Sequence, residues 1–308
     1  MIKFLNKIKD PKVSELGGKG YSLVVLINNG FNVPKGFVIT SEVFFKFLED
    51  NNLTERIKEL YSEINDNNFQ EKSKEIKELI INGKMPEEIT QEIKENLNEL
   101  SVQHVAIRSS AVSEDSLKAS FAGLHDTFLN VNSDLVLENL KKCWASLFNE
   151  RAVIYRIKKN IPHLVEGMAI IIQEMIPAEV SGITLTIHPS NEKALLIESS
   201  YGLGDLIVSG RIQPDDYIVD RETLVILEIR IGVKKRMDIC EEKGTEIVEI
   251  NKELIEMQVI PDEKIQEIAK ICSEIGKIFD HPQDIEWCIY NNKIWLLQSR
   301  PITWKSIQ

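Results

Sequence analysis

The chain has 308 residues, a formal net charge of −11 and 43% hydrophobic residues, which predicts about two domains with a sizeable core. The negative charge argues against nucleic acid or an anionic membrane as a partner, because both bind basic surfaces. The four cysteines form no Cys-x-x-Cys pair, and we find no signal-peptide core in residues 1–12 and no run of about 18 apolar residues, so we expect a cytoplasmic protein without a zinc site or disulfide framework.

The N-terminal third predicts a glycine loop followed by helices. Gly17-Gly18-Lys19-Gly20 precedes the apolar residues 21–27, which suits a loop that delivers Lys19 to the start of a helix; a plain tight turn is the alternative, and the spacing is not that of a Walker A loop. Residues 41–50 predict a helix capped by Ser41. Residues 54–100 have apolar residues at helical spacing, and Pro86 near a helix start indicates a helical hairpin or a pair of helices.

The middle of the chain combines a strand, small residues and a helical segment. Residues 105–110 read as a buried strand that ends in Arg108 and two serines, typical of a phosphate clamp or of a strand leaving the core. Residues 119–123, with Thr127 after them, offer backbone N–H groups that can approach phosphate oxygens closely. Residues 135–159 predict two helices or one bent helix, in which Trp144 belongs to a packing stripe rather than a base-stacking platform.

After Pro162 the pattern changes to strands, which predicts a subdomain boundary near residue 165. The predicted strands cover residues 168–176, 181–187, 194–199, 216–219 and 224–231 and a closing hairpin, with a helix over 262–279. The glycine-rich residues 201–204 lie between them, and Gly-x-Gly alone is a weak signal.

The closing hairpin carries the most informative polar residues. Asn291-Asn292 is turn chemistry between two strand-like segments, and residues two apart on a strand face the same side. Asp284 and Glu286 therefore point together, as do Gln298 and Arg300 on the partner strand. Carboxylate and amide oxygens suit magnesium, and a guanidinium suits phosphate. An ordinary polar hairpin face is the alternative.

The order of these motifs resembles a known family, the nucleotide-binding domain of phosphoenolpyruvate synthase and pyruvate phosphate dikinase, which the rifamycin phosphotransferases share. The resemblance covers about residues 3–303. Its motifs are Gly17-Gly18-Lys19-Gly20, Val33-Pro34-Lys35-Gly36-Phe37, Ile107-Arg108-Ser109-Ser110, Ser120-Phe121-Ala122-Gly123, Gln173-Glu174-Met175, Ser181-Gly182, Tyr201-Gly202-Leu203-Gly204, Asp284-Ile285-Glu286-Trp287 and Gln298-Ser299-Arg300-Pro301. It implies an α+β fold of the ATP-grasp type, with subdomains 1–165 and 166–308, ATP in the cleft between them, and residues 54–100 as a helical cover.

The resemblance also implies roles for individual residues. Lys19 and Arg108 would contact the ATP phosphates, and Arg300 would stabilise the phosphoryl group in transfer. Glu286 and Gln298 would ligate Mg²⁺, with Asp284 as a candidate third ligand. The remaining ATP contacts would be Ser120, Ala122, Gly123 and Thr127 at the phosphates, the backbone of Gln173, Glu174 and Met175 at adenine, and Glu198 and Asp205 near the ribose or the metal.

The implied activity is transfer of the ATP β-phosphate to a histidine, giving AMP and phosphate. In the family this histidine lies on a swivelling domain in a Gly-Gly-x-x-Ser-His motif, and none of the five histidines here has that context. We therefore expect a separate or missing phosphohistidine domain and an acceptor-substrate domain. His125 stands where relatives usually carry Gln or Met, and we expect a partly exposed histidine at a variable position rather than a phosphoryl acceptor.

Four interpretations remain open at this point. The chain could serve a phosphoenolpyruvate synthase or dikinase, or be the ATP domain of a rifamycin phosphotransferase. It could be an ATP-grasp ligase that forms an acyl-phosphate and releases ADP. It could also be a non-catalytic subunit that senses nucleotide by closing on ATP without turnover.

Overall fold

The computed structural model describes residues 1–65, 67–111, 115–116, 119–120, 124–158 and 167–303. The chain divides into two compact units, the first made of Met1–Val25 and Lys35–Met175 and the second of Leu26–Pro34 and Ile176–Gln308. Both units combine helices and strands, which confirms the expected α+β class. Within the described ranges, we find no helix long and apolar enough to cross a membrane.

The first unit contains a five-stranded antiparallel sheet with helices packed on it. The elements are β1 (Ile2–Phe4), α1 (Val13–Asn28, whose last three residues belong to the second unit), β2 (Gly36–Ile39), α2 (Ser41–Asp50), α3 (Leu53–Ser62), α4 (Phe69–Asn82), α5 (Glu87–Leu100), β3 (His104–Ala111), β4 (Asp115–Ser116), β5 (Ala119–Ser120), β6 (Thr127–Asn132), α6 (Val136–Ala145), α7 (Glu150–Lys158) and β7 (Met168–Glu174).

Strand β7 lies at the centre of this sheet, whose order is β1-β2-β7-β3-β6. It pairs with β2 on one side and with β3 on the other, and both of these strands belong to the first unit. The expected division at residue 165 placed this strand in the C-terminal part and is therefore wrong there. The observed division follows Met175 instead. Strands β4 and β5 form a separate two-stranded ribbon.

The helical cover has three helices, not the two that we expected over residues 54–100. Asparagine side chains bond to the backbone between the first and second of these helices: Asn68 Oδ1 accepts the N–H of Asn65 at 2.8 Å, and Asn65 Oδ1 accepts the N–H of Asn67 at 3.0 Å. Such side-chain bonds compete with continuation of a helix. Pro86 is the N-cap of α5, as predicted.

Helix α2 begins at the predicted place but not through the predicted cap. Thr40 occupies the N-cap position, and the Ser41 hydroxyl donates to the carbonyl of Ser14 at 2.9 Å. The hydroxyl therefore joins two segments rather than satisfying the helix end.

Residues 136–158 form two helices, α6 and α7, joined by a short 3-10 turn. The Trp144 ring packs against Phe44 and Phe47, with ring centroids 5.5 and 5.1 Å apart. Its indole N–H donates to the carbonyl of Met168 at 3.1 Å. The packing role predicted for this tryptophan is confirmed.

The second unit contains a six-stranded antiparallel sheet, a ribbon and a long helix. The elements are β8 (Val180–Leu185), β9 (Ala194–Tyr201), α8 (Asp205–Val208), β10 (Asp215–Asp220), β11 (Ile226–Arg230), β12 (Arg236–Cys240), β13 (Thr245–Glu249), α9 (Asp262–Phe279), β14 (Gln283–Tyr290) and β15 (Lys293–Pro301).

The main sheet of this unit has the order β11-β10-β9-β8-β14-β15. One face buries apolar side chains in a core with α9, and Ile197, Tyr217, Ile285 and Trp287 are among them. Because side chains alternate along a strand, Glu198, Asp216, Asp284 and Glu286 take the opposite face. The sequence pattern did not predict the β12–β13 ribbon, because its charged residues obscure the alternation of apolar and polar residues that is typical of a strand.

Candidate functional site

The glycine loop of the first unit is a break within α1. Gly17 has φ 70° and ψ 175°, a combination open to little except glycine. A Cβ at this position would lie 1.9 Å from the carbonyl oxygen of Ser110. The helix therefore restarts after Gly17, and the buried Lys19 lies in the first turn of the restarted segment.

Ser110 holds this loop from the neighbouring strand. Its hydroxyl donates to the carbonyl of Leu16 at 2.7 Å and accepts the N–H of Gly20 at 3.0 Å. The hydroxyl is buried, so these two bonds fix the loop that carries Lys19 against β3. The sequence placed Ser110 in the arginine motif, but its partners are 90 or more residues away and no local signal reveals them.

Arg108 and Thr127 lie on one face of the same sheet. They are paired directly across β3 and β6, and Ser110, two residues further along β3, takes the same face as Arg108. Gln173 also takes this face, because it lies two residues after Ile171, the partner of Arg108 on β7. The first unit thus brings these predicted phosphate and adenine residues and the glycine loop to one side of its sheet.

The backbone of residues 173–175 is partly used within the protein. The N–H of Glu174 donates to the carbonyl of Lys35 at 2.8 Å, and the N–H of Met175 donates to the carbonyl of His104 at 3.2 Å. The expected adenine contact through backbone N–H groups therefore does not fit these two amides.

Part of the predicted phosphate loop lies outside the described residues. Ser120 ends strand β5, and its side chain is not described; Ala122 and Gly123 fall outside the described ranges. His125 is buried, not partly exposed as expected, and its Nδ1 lies 3.4 Å from the carbonyl oxygen of Ser146.

The second unit presents a row of polar residues across its sheet. Gln298 on β15 is paired with Glu286 on β14, and Glu286 is paired with Ile183 on β8. Ile183 is paired in turn with Glu198 on β9. Directly opposite residues share a face, so the two carboxylates and the amide project to the same side. The assignment of Glu286 and Gln298 as Mg²⁺ ligands stays a prediction, and the structure places the two residues opposite each other on this face.

Arg300 and Asp284 form the neighbouring row on this face. The Nε and Nη2 atoms of Arg300 donate to Asp284 Oδ2 at 2.9 and 2.7 Å. Asp284 Oδ1 is buried and has no hydrogen-bond partner. Asp284, the candidate third metal ligand, thus binds the guanidinium through Oδ2, and its Oδ1 can ligate a cation or accept a hydrogen bond.

Burial makes this face a poor place for unbalanced negative charge. Desolvation raises the pKa of Asp284 even though Arg300 lowers it, and the charge of Glu286 raises it further. Desolvation also raises the pKa of Glu198, and the charges of Asp216 and Asp284 add to the rise. Asp216 on β10 is paired with Glu198 on β9, and burial raises the pKa of Asp216. Sequence reasoning missed this neighbour.

The donor set of this face fits Mg²⁺. Carboxylate and amide oxygens are its protein ligands, and one or two carboxylates suffice when phosphates and water complete the shell. Among the residues that the structure describes, no group of three or more His, Cys, Asp or Glu side chains forms a metal cage. One carboxylate and one amide, as Glu286 and Gln298 provide, suit a metal that shares its shell with a substrate.

Asp205 is placed apart from the cross-strand row. It begins the short helix α8, and its carboxylate pairs with Arg211. The glycine motif before it has a packing role: Gly202 has φ 75°, and a Cβ there would lie 2.3 Å from the carbonyl oxygen of Asp238. Close backbone approach explains this glycine.

Comparison with known proteins assigns the family. A probable phosphoenolpyruvate synthase of Methanocaldococcus jannaschii is 38% identical over 98% of this chain and 26% of its own length. One of Methanothermobacter thermautotrophicus is 39% identical over 98% and 46%. The rifampicin phosphotransferase of Bacillus subtilis is 37% identical over 98% and 36%. The chain thus spans less than half the length of these relatives.

Among solved structures, a dinucleotide-forming acetyl-coenzyme A synthetase 1 of Candidatus Korarchaeum cryptofilum covers 68% of this chain and 80% of its own, with a TM-score of 0.37 and 15% identity, too low to establish a shared fold. The model of the family described as "Pyruvate phosphate dikinase, AMP/ATP-binding domain" matches residues 13–308. The domain is of the ATP-grasp type, as expected. The chain belongs to the pyruvate phosphate dikinase AMP/ATP-binding domain family.

Proposed function

We propose that this chain is the ATP-using module of a phosphotransferase of the dikinase type. It binds ATP with Mg²⁺ and passes the β-phosphate to a histidine on a separate or further domain. The histidine nitrogen forms a bond to the β-phosphorus while the bond from that phosphorus to the α,β-bridging oxygen breaks, which releases AMP and leaves the β- and γ-phosphates on the histidine. Water then forms a bond to the γ-phosphorus while the bond from that phosphorus to the β,γ-bridging oxygen breaks, so the products are AMP, phosphate and phosphohistidine.

The observation that carries this proposal is the polar face of the second unit. Glu286 and Gln298 are opposed across β14 and β15 and would hold Mg²⁺. Bound there, the metal would neutralise charge on the phosphate oxygens. Arg300 is held by one oxygen of Asp284 and offers its positive charge to the phosphoryl group in transfer.

The face of the first unit supplies the complementary part of the proposal. Lys19 and Arg108 would contact ATP phosphates, and Thr127 would add a hydroxyl next to Arg108. Positive charge along the phosphate chain is what phosphoryl transfer demands of a protein. Ser110 acts as a positioning residue, because it fixes the loop that carries Lys19.

Other domains would select the substrate that accepts the phosphoryl group from the histidine. Two relatives carry names that include phosphoenolpyruvate synthase and one is named for rifampicin. Pyruvate, a rifamycin or another alcohol or phenol is accordingly the proposed final acceptor class. A swivelling phosphohistidine domain and an acceptor-substrate domain are the proposed partners.

Calorimetric titration with a non-hydrolysable ATP analogue tests the site. We expect binding that requires Mg²⁺ and that weakens about tenfold or more in Glu286→Gln, since a lost charged ligand costs well over 1.4 kcal/mol. Glu249→Gln, an exposed carboxylate on β13, is the matched control and should bind like the parent. Binding that ignores both Mg²⁺ and Glu286→Gln would refute the assigned metal site.

Product analysis tests the reaction. The chain is incubated with labelled ATP and the histidine-bearing domain of the Bacillus subtilis rifampicin phosphotransferase. We expect AMP, phosphate and a labelled histidine. ADP as the sole product would instead support a ligase that forms an acyl-phosphate, and tight binding without any product would support a nucleotide sensor.

A further inference from the structure

The edge strand β11 and its flanks expose an unusual amount of apolar surface. Apolar residues recur at every second position from 225 to 233, and each is more than a third exposed. They are Val225 (53%), Leu227 (52%), Ile229 (36%), Ile231 (39%) and Val233 (38%). Exposed apolar edge strands invite pairing with another chain, so native proteins rarely leave one uncovered.

The backbone of this strand is open on its outer side. In the described part of the sheet, β11 pairs with β10 and is the last strand in the order. The N–H of Gly232 points inward, because it donates to Asp215 Oδ1 at 2.9 Å. Since N–H directions alternate along an extended chain, the N–H groups of Ile229 and Ile231 point to the open edge.

The sequence of this edge is symmetric about Ile229. Residues 225–233 read Val-Ile-Leu-Glu-Ile-Arg-Ile-Gly-Val. Antiparallel pairing of two such strands centred on Ile229 sets the two Ile229 side chains opposite each other and Glu228 of each strand opposite Arg230 of the other. The regular register ends at Glu228, because Glu228 and Ile226 pair with the consecutive residues Ile218 and Val219 and Leu227 forms a β-bulge.

We propose that the open edge of β11 pairs with β11 of a second copy of this chain, antiparallel and centred on Ile229. The charges select this occupant: each copy presents one carboxylate and one guanidinium, and twofold symmetry joins them into two ion pairs. The Glu228 and Arg230 side chains already contact each other within a strand, at 2.6 Å, so they are arranged on one side of it. The contact continues the six-stranded sheet into one of twelve strands, six from each copy.

Charge reversal provides the test, read by sedimentation velocity over a concentration series of the 308-residue chain. We expect a monomer–dimer equilibrium in the parent. Glu228→Arg alone and Arg230→Glu alone should each raise the dimer Kd by about tenfold or more, because like charges then face each other twice. An equimolar mixture of the two variants should dimerise again, since every facing pair is opposite in sign.

The double variant Glu228→Arg/Arg230→Glu should also dimerise like the parent. Glu246→Arg, an exposed change on β13 outside the symmetric segment, is the matched control and should leave the Kd unchanged. Circular dichroism of each variant confirms that it is folded. A parent chain that remains monomeric at about 1 mM would overturn the proposal. A dimer that persists in both single variants would overturn it too.

Discussion

The Gly17→Ala substitution tests how the Lys19 loop is built. Gly17 has φ 70° and ψ 175°, and its missing Cβ would lie 1.9 Å from the Ser110 carbonyl oxygen. An alanine must therefore both adopt a strained backbone and push β3 away. The two hydrogen bonds of the Ser110 hydroxyl, to Leu16 and from Gly20, are lost when these segments separate.

The expected cost follows from these contacts. A backbone conformation in this region costs about 1–3 kcal/mol outside glycine. The two buried hydrogen bonds contribute about 1 kcal/mol each. The sum is about 4 kcal/mol, which corresponds to a fall of roughly 10 °C in the melting temperature for a unit of this size. Displacement of Lys19 should also weaken binding of the ATP analogue.

Two further variants separate the contributions. Ser110→Ala removes the hydroxyl without a clash and should cost about 2 kcal/mol. Gly30→Ala is the matched control for backbone strain, because Gly30 has φ 83° and its Cβ would meet nothing within 4 Å. Thermal melts and calorimetric titrations of the three variants are compared. If Gly17→Ala is no more destabilising than Gly30→Ala, the close approach of the loop to Ser110 is not what holds Lys19.

Three other predictions concern buried charges of the second unit. Lys234→Met should lower the free energy of unfolding in urea by about 3–5 kcal/mol, because it leaves the fully buried Asp215 carboxylate without its paired cation. A decrease of less than about 1 kcal/mol would contradict the buried pair. Glu198→Gln should raise the melting temperature of the nucleotide-free chain at pH 7 while weakening Mg²⁺-dependent binding, since burial raises the pKa of Glu198 and folding disfavours its ionised form. Unchanged stability and binding would refute that reading. The pKa values of Glu198 and Asp284 are both raised in the folded chain. The nucleotide-free fold should therefore lose stability as the pH rises through these pKa values, whereas Mg²⁺ binding should be lost as the pH falls through them. In titrations from pH 8 to about 4, we expect Mg²⁺ binding to disappear at a pH above the usual carboxylate pKa of about 4.

Local pattern determined much of the second unit. Helix α9 occupies Asp262–Phe279 as predicted, because an amphipathic stripe between a proline and a short turn leaves little choice of bounds. The closing hairpin places Asp284 with Glu286, and Gln298 with Arg300, because strand periodicity is a property of neighbouring residues. The order of the motifs along the chain was sufficient to identify the family.

Only the tertiary structure decided which distant segments meet. Ser110 closes on Gly17 and Gly20 across 90 residues of chain, and β7 joins the first unit because its pairing partners lie there. Asp215 and Lys234 find each other in the core, although charge patterning marks both as surface residues. These contacts depend on how the strands are ordered in each sheet, and strand order is set by the packing of the whole unit rather than by the residues on either side.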